Sequence, residues 1–163
     1  MALRFIRKER DPVLRQKTAP VSKFTPQLAA LIEDMFETML DAEGVGLAAP
    51  QVGISKSIIV VWDKDQLFEV INPEILSGEG EVIDIEGCLS LPGIYGEVPR
   101  YASVEVRGLD RNKAEINISA EGFLARVFQH EIDHLRGVLF ADRALKLLTP
   151  EELKKMSESE KEK

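Results

Sequence analysis

The chain contains two histidines, and both lie in one five-residue window, His130-Glu131-Ile132-Asp133-His134. On a helix, residues four apart share a face. Two imidazoles so placed can grip one metal ion, and a glutamate beside the first is positioned to take up and hand on a proton. A lone buried histidine is more often a satisfied polar group than a ligand. The pair at helical spacing, with Glu between, points instead to a metal site.

HExxH supplies two protein ligands and leaves the third to be found. Downstream the chain offers Asp142, Glu151, Glu152 and tail carboxylates, none in a recognisable pattern. Upstream, Glu86-Gly87-Cys88-Leu89-Ser90 follows a predicted strand and holds the only thiol. A single cysteine is usually a small buried hydrophobe. Beside a histidine pair it becomes the favoured third ligand. One thiolate and two imidazoles leave a fourth position for water, the mark of a catalytic rather than a structural metal. By ligand type alone, zinc suits that set.

The elements that must position these residues are legible in outline. Thr25 is an N-cap and Pro26 a first helical residue, followed by Leu28, Leu31, Ile32, Met35 and Met39 at helical spacing and a stop at Gly44. Residues 44–51 are too rich in Gly and Pro for an element interior and are expected to run extended or as a loop. Strands are expected over 57–62, 68–71 and 81–85, with a turn at Asn72-Pro73, and over 102–107 and 115–119 around a hairpin loop at 110–113. A second helix, from about Phe123 to Arg136 and closed by Gly137, carries the histidines. Its apolar stripe of Leu124, Val127, Phe128, Ile132 and Leu135 implies burial on most of its circumference. Thr149, Pro150 and Glu152 make a capping-box pattern for a short exposed helix that frays after about Ser157. The expected fold is α+β: antiparallel or mixed sheets packed around a central helix carrying HExxH, with an N-terminal and a short C-terminal helix. Residues 1–148 read as one catalytic domain and 149–163 as a C-terminal helix and frayed tail.

Composition narrows the class. The 163 residues suffice for one core. The net charge of −7 argues against a general nucleic-acid binder. One cysteine excludes an intrachain disulfide and favours a reducing, cytoplasmic setting. The first residues do not form a signal peptide, and no apolar run approaches the ~20 residues that span a bilayer.

Three segments together resemble peptide deformylases of the bacterial type: GVGLAAPQ at 44–51, EGCLS at 86–90 and QHEIDHLRG at 129–137. The similarity extends over Asp11-Pro12-Val13-Leu14-Arg15 and Val98-Pro99-Arg100, nearly the whole chain except the tail. The resemblance implies that Cys88, His130 and His134 hold the metal and that Glu131 is the general acid/base. It implies that Gln51 and the Leu89 backbone N–H bind the oxyanion. The reaction implied is hydrolysis of the N-formyl group from peptides beginning with formyl-methionine, near the ribosome exit. The implied ion is Fe(II), with zinc, nickel or cobalt in purified protein, and a catalytic water beside it.

Further assignments follow from that resemblance. Gly44 and Gly46 allow a peptide backbone to approach closely, fitting an added-strand mode of binding. Val45 and Val127 are candidates for the methionine pocket, or plain core. Glu86 and Arg100 are expected to pair and brace the metal loop. Gln129 could orient that loop, and Asp133 is either a surface charge or a helix–loop partner. Some relatives carry an arginine where this chain has Ile94-Tyr95-Gly96, so any substrate contact made there falls to other groups. Two other readings stand beside this one. A metallopeptidase cleaving internal bonds would leave EGCLS unexplained, and a metal-stabilised binding module would have no use for Glu131 and Gln51.

Overall fold

The structure is a computed structural model and describes residues 2–161. In chain order the elements are α1 (Pro26–Asp41), β1 (Gly46–Ala48), β2 (Ile58–Asp63), β3 (Gln66–Glu79), β4 (Val82–Cys88) and β5 (Leu91–Arg100). Then come β6 (Ser103–Leu109), β7 (Glu115–Glu121), α2 (Gly122–His134), α3 (Phe140–Arg143), β8 (Lys146–Leu148) and α4 (Pro150–Lys161). Short 3-10 turns occupy Pro12–Arg15 and Ala49–Val52.

The strands form two antiparallel sheets, β1-β2-β3-β6-β7 and β4-β5-β8. The run Ile58–Val61 is buried on both faces. Ile58 and Val60 join the core under α1, while Ile59 and Val61 join the core under α2. The alternation of β2 therefore clamps the larger sheet between two helices. A third apolar cluster of Leu14, Leu91, Val98, Leu139 and Phe140 supports the smaller sheet. This is the α+β class expected, with antiparallel sheets and, among the described residues, four α-helices.

The helix starts follow their caps. Thr25 Oγ1 accepts the Leu28 N–H at 3.2 Å, and the stripe from Leu28 to Met39 is buried. At the other end the left-handed residue is Glu43 (φ 57°), not Gly44, whose N–H closes on the Met39 carbonyl at 2.9 Å. The hairpin at 110–113 forms, with Asp110 Oδ1 accepting the N–H groups of Asn112 and Ala114. Thr149 and Glu152 make the reciprocal capping box.

The structure departs from expectation at one turn and at two helix ends, and adds elements the sequence patterns do not mark. Asn72-Pro73 is not a turn between strands but a bulge inside the 14-residue β3, where the register shifts between Ile71 and Glu74. There Asn72 (φ 53°) accepts the Val21 N–H and donates to the Val21 carbonyl, so its side chain straps the N-terminal segment to the sheet. Residues 91–100, which no sequence pattern marks as an element, form β5, paired to β4 along most of its length. Residues 44–51 run extended in part, as expected, with 46–48 forming β1, and then close into a 3-10 turn at Ala49–Val52. The helix of HExxH ends at His134 rather than Arg136, and α4 runs to Lys161 instead of fraying at Ser157. The expected frayed end at 162–163 lies outside the described residues. No described helix is long and apolar enough to cross a membrane.

Candidate active site

The end of β4 and the last turns of α2 converge. Cys88 closes β4, where the register slips and the chain turns through Leu89 into β5. His130 and His134 project from one face of α2. The thiol and both imidazoles bring their ligand atoms within 4.8 Å of one another, although 42 and 46 residues separate the cysteine from the two histidines. His134 Nε2 lies 3.4 Å from Cys88 Sγ. The His130 Nδ1 faces Glu86 Oε1 at 2.8 Å, which directs its other nitrogen toward the cluster.

These residues fit a metal ion. Cys88, His130 and His134 offer one soft sulfur and two imidazole nitrogens at a common point, with no fourth protein ligand within reach among the described residues. Two buried side-chain polar atoms there lack any partner among the described residues, Glu131 Oε1 and His134 Nδ1, and both belong to this site. The field favours a cation: burial alone would lower the His130 pKa, yet Glu131, Cys88 and Glu86 outweigh it and raise it well above the usual value. Burial, reinforced by His130 and Arg100, pulls the His134 pKa well below its usual value, leaving a neutral imidazole, the form that ligates.

Glu131 stands beside the cluster, 5% exposed. Burial pushes its carboxyl up to about 7, the range in which a carboxyl can both take and give a proton near neutrality. The reason for Gly46 becomes visible here. A Cβ on Gly46 would sit 2.5 Å from Glu131 Oε2, so the glycine makes room for the acid itself. At Gly44 the space is taken by the Leu89 side chain, 2.9 Å from the corresponding position.

Gln51 is buried in the 3-10 turn after β1. Its Oε1 accepts the Ala48 N–H at 2.9 Å, which fixes the orientation of the amide. Its Nε2 therefore points at Ser90 Oγ (3.1 Å) and Cys88 Sγ (3.5 Å). Gln51 thus satisfies a buried backbone group and also presents a donor to the site. Cys88, Gln51, Leu89, Glu131, Val45 and Val127 line one cleft of about 590 Å³, with Gly44 and Gly46 on the same wall. Two sheet edges flank it, β1 and β4.

Glu86 and Arg100 pair as expected, through two 2.9 Å hydrogen bonds, both side chains buried. Burial would raise the Glu86 pKa, but the bonds from Arg100 and His130 hold its carboxyl far below the usual range. Arg100 also donates to Asp133 Oδ2 at 2.6 Å. Asp133 is therefore buried, not a surface charge, and it accepts two further bonds from Arg143 after α2. The Gln129 side chain spends its hydrogen bonds away from the metal loop, holding the Tyr101 backbone from both sides and bonding to the Ala125 carbonyl.

Three participants escaped the reading of the sequence. Ser90 accepts from Gln51, and the Phe140 ring stacks on His130 at 6.1 Å. Arg126 is buried and donates to Glu86 Oε2. A signal for Arg126 existed: it lies one helical turn before His130, so a charge sits on the face that carries both histidines.

A half-buried thiol and two buried imidazoles around one point, next to a carboxyl raised to about 7 and facing an open cleft, make up the site of a mononuclear metal-dependent hydrolase. Comparison with known proteins narrows this class. The family model for polypeptide deformylase matches residues 3–149. A peptide deformylase of Halothermothrix orenii is 57% identical over 144 residues, covering 87% of this chain and 94% of the relative. The crystal structure of peptide deformylase from Thermotoga maritima superposes with a TM-score of 0.87 at 44% identity, covering 90% of this chain and 100% of that one. A Met-Ala-Ser-bound class I type b peptide deformylase from Acinetobacter baumannii gives a TM-score of 0.83 at 36% identity, over 87% of this chain and 98% of that one. The chain belongs to the polypeptide deformylase family.

Proposed function

We propose that this protein removes the N-formyl group from the N-terminal formyl-methionine of newly made polypeptides, releasing formate. The observation that carries the reading is the coincidence of the Cys88–His130–His134 cluster with Glu131 and Gln51 in one cleft, in a chain of the deformylase family.

Cys88, His130 and His134 would hold one divalent ion. When bound, such an ion supplies Lewis acidity and lowers the pKa of a coordinated water towards 7. Glu131, raised to about 7, takes the proton of the attacking water and passes it to the departing amine. The Gln51 amide and the Leu89 N–H donate to the oxygen on which negative charge develops as the formyl carbon becomes tetrahedral. The C–N bond then breaks, and formate and a free N-terminus leave. Val45 and Val127 form part of the wall for the methionine side chain. The edges of β1 and β4 suit a substrate that adds as a strand, and the Met-Ala-Ser bound to the Acinetobacter relative fits a peptide beginning with methionine as the substrate class.

Fe(II) is the proposed native ion, as the family resemblance implies, with zinc, which the donor set by itself favours, as the alternative. Nickel or cobalt would also occupy the site in purified protein. The substrates are met as nascent chains, near the ribosome exit and in the cytoplasm. Residues 1–148 act as the catalytic unit with α4 appended. We read α2 as the helix around which the sheets pack, supported by its contacts with β1, β2, β6 and β7 and by the Arg126 bonds to β4 and β5.

A formate-release assay on formyl-Met peptides, with metal analysis of the same anaerobically purified sample, tests the reading. The wild type should release formate in proportion to bound metal, and Glu131→Gln should lower kcat by about 10²–10⁴-fold with metal retained. Cleavage of an unformylated peptide without formate release would favour the metallopeptidase. Full hydrolysis by Glu131→Gln would refute the role of Glu131.

A further inference from the structure

We infer that Arg126 is a positioning residue for His130, acting through Glu86. The inference rests on the metal-hydrolase reading of the site. Glu86 has four acceptor sites on its carboxylate and uses all four. Oε1 accepts from His130 Nδ1 (2.8 Å) and Arg100 Nη2 (2.9 Å). Oε2 accepts from Arg100 Nε (2.9 Å) and Arg126 Nη1 (2.5 Å).

Arg100 lies at the end of β5 and grips the carboxylate from the sheet. Arg126 and His130 lie one turn apart on α2. The carboxylate therefore bridges two successive turns of the helix. Arg100 fixes the carboxylate to the sheet at two points, but without Arg126 the only tie from Glu86 to α2 would be its bond to His130, and the ring would turn with any shift of helix against sheet. The second contact, at Arg126, fixes the plane of the carboxylate relative to the helix axis and thereby the rotation of the imidazole.

Arg126 is itself held. Nη1 also donates to the Val98 carbonyl and Nη2 to the Val82 carbonyl, each at 2.8 Å. Val98 lies in β5 and Val82 opens β4, an edge strand of the smaller sheet. The guanidinium thus ties α2, the two strands and the metal-loop carboxylate at one point. A planar fork of five donors can serve all three acceptors; a lysine ammonium on a flexible stem would satisfy fewer in this geometry. Arg126 also lines the cleft, so a direct contact with substrate is the competing role for it.

The test compares wild type, Arg126→Met and Arg126→Lys. Cobalt affinity, the thiolate-to-cobalt absorption band, and kcat and KM for formyl-Met peptides are measured on each. If Arg126 positions His130, Arg126→Met should weaken cobalt binding or lower kcat by about 10–100-fold. The cobalt band should shift and KM should stay within about twofold, because positioning changes metal and turnover rather than substrate affinity. Arg126→Lys should recover part of the loss, and it carries the test if Arg126→Met does not fold. Wild-type cobalt affinity and band shape in both variants would overturn the inference. So would a rise in KM alone, which would make Arg126 part of the cleft wall. Failure of the wild type to release formate would count against the proposed function and not against this inference, because the cobalt measurements do not depend on turnover.

Discussion

Replacing Gly46 with alanine should inactivate the protein while leaving its metal in place. Gly46 sits in β1 opposite Val61, and its backbone is not in the left-handed region, so the substitution introduces no φ strain. What it introduces is a methyl group 2.5 Å from Glu131 Oε2 and 2.9 Å from both Cδ and Cγ. Ordinary van der Waals contact begins at 3.4 Å, so the carboxylate has to retreat by about 0.9 Å. Glu131 can yield, because its Oε1 makes no hydrogen bond that would hold it. The stability cost should therefore fall toward the low end of the overpacking range, about 1 kcal/mol. The catalytic cost is larger. A displacement near 1 Å of a group that must meet a proton in flight costs about 100-fold, or roughly 2.7 kcal/mol of barrier. The assay is formate release at matched cobalt content, alongside a thermal melt. Expected are a kcat reduced by about 100-fold, unchanged cobalt affinity and a melting temperature lower by a few degrees. A kcat within threefold of wild type at equal metal content would refute the steric argument. Loss of cobalt binding would show that Gly46 acts on the ligands and not on Glu131.

Two further perturbations probe the supports of the site. Asp133→Ala leaves the buried Arg100 guanidinium without one of its two carboxylate partners and frees Arg143, so denaturant melts should show a loss of about 3–5 kcal/mol; stability within 1 kcal/mol of wild type would contradict the buried pairing. Acid should weaken the tie between the N-terminal segment and α1. The Ala2 N–H and Arg4 hold the Asp34 carboxyl below its usual value against the opposing effect of burial. Its contribution to stability is present in full above the ordinary Asp value near 4 and disappears as the pH falls through the lower folded value. Thermal melts of wild type and Asp34→Asn should therefore differ at pH 7 and draw together as the pH falls below the ordinary Asp value; a gap unchanged with pH would rule out this linkage.

What could be read directly was whatever depends on near neighbours in the chain. The spacing of His130 and His134, the Thr25 cap, the stripe from Leu28 to Met39 and the Thr149–Glu152 box are local patterns, and each took the form expected. Long-range facts were readable only through the likeness of three motifs to a known family. The pairing of Asn72 with Val21, the continuity of β3 through Pro73 and the existence of β5 depend on partners far along the chain, and strand identity at 91–100 is decided by β4 and β8 beside it. The same holds inside the site. Types and spacing along the sequence determined which side chains could ligate a metal and which carboxyl stood next to them. Tertiary structure alone decided that Glu131 is dry enough to reach a pKa of about 7, that Gly46 exists to admit it, and that Arg126 and Asp133 are buried charges instead of solvated ones. The physical reason is that burial and ion pairing depend on which surfaces meet. That is a property of packed elements, not of the order of residues within any one of them.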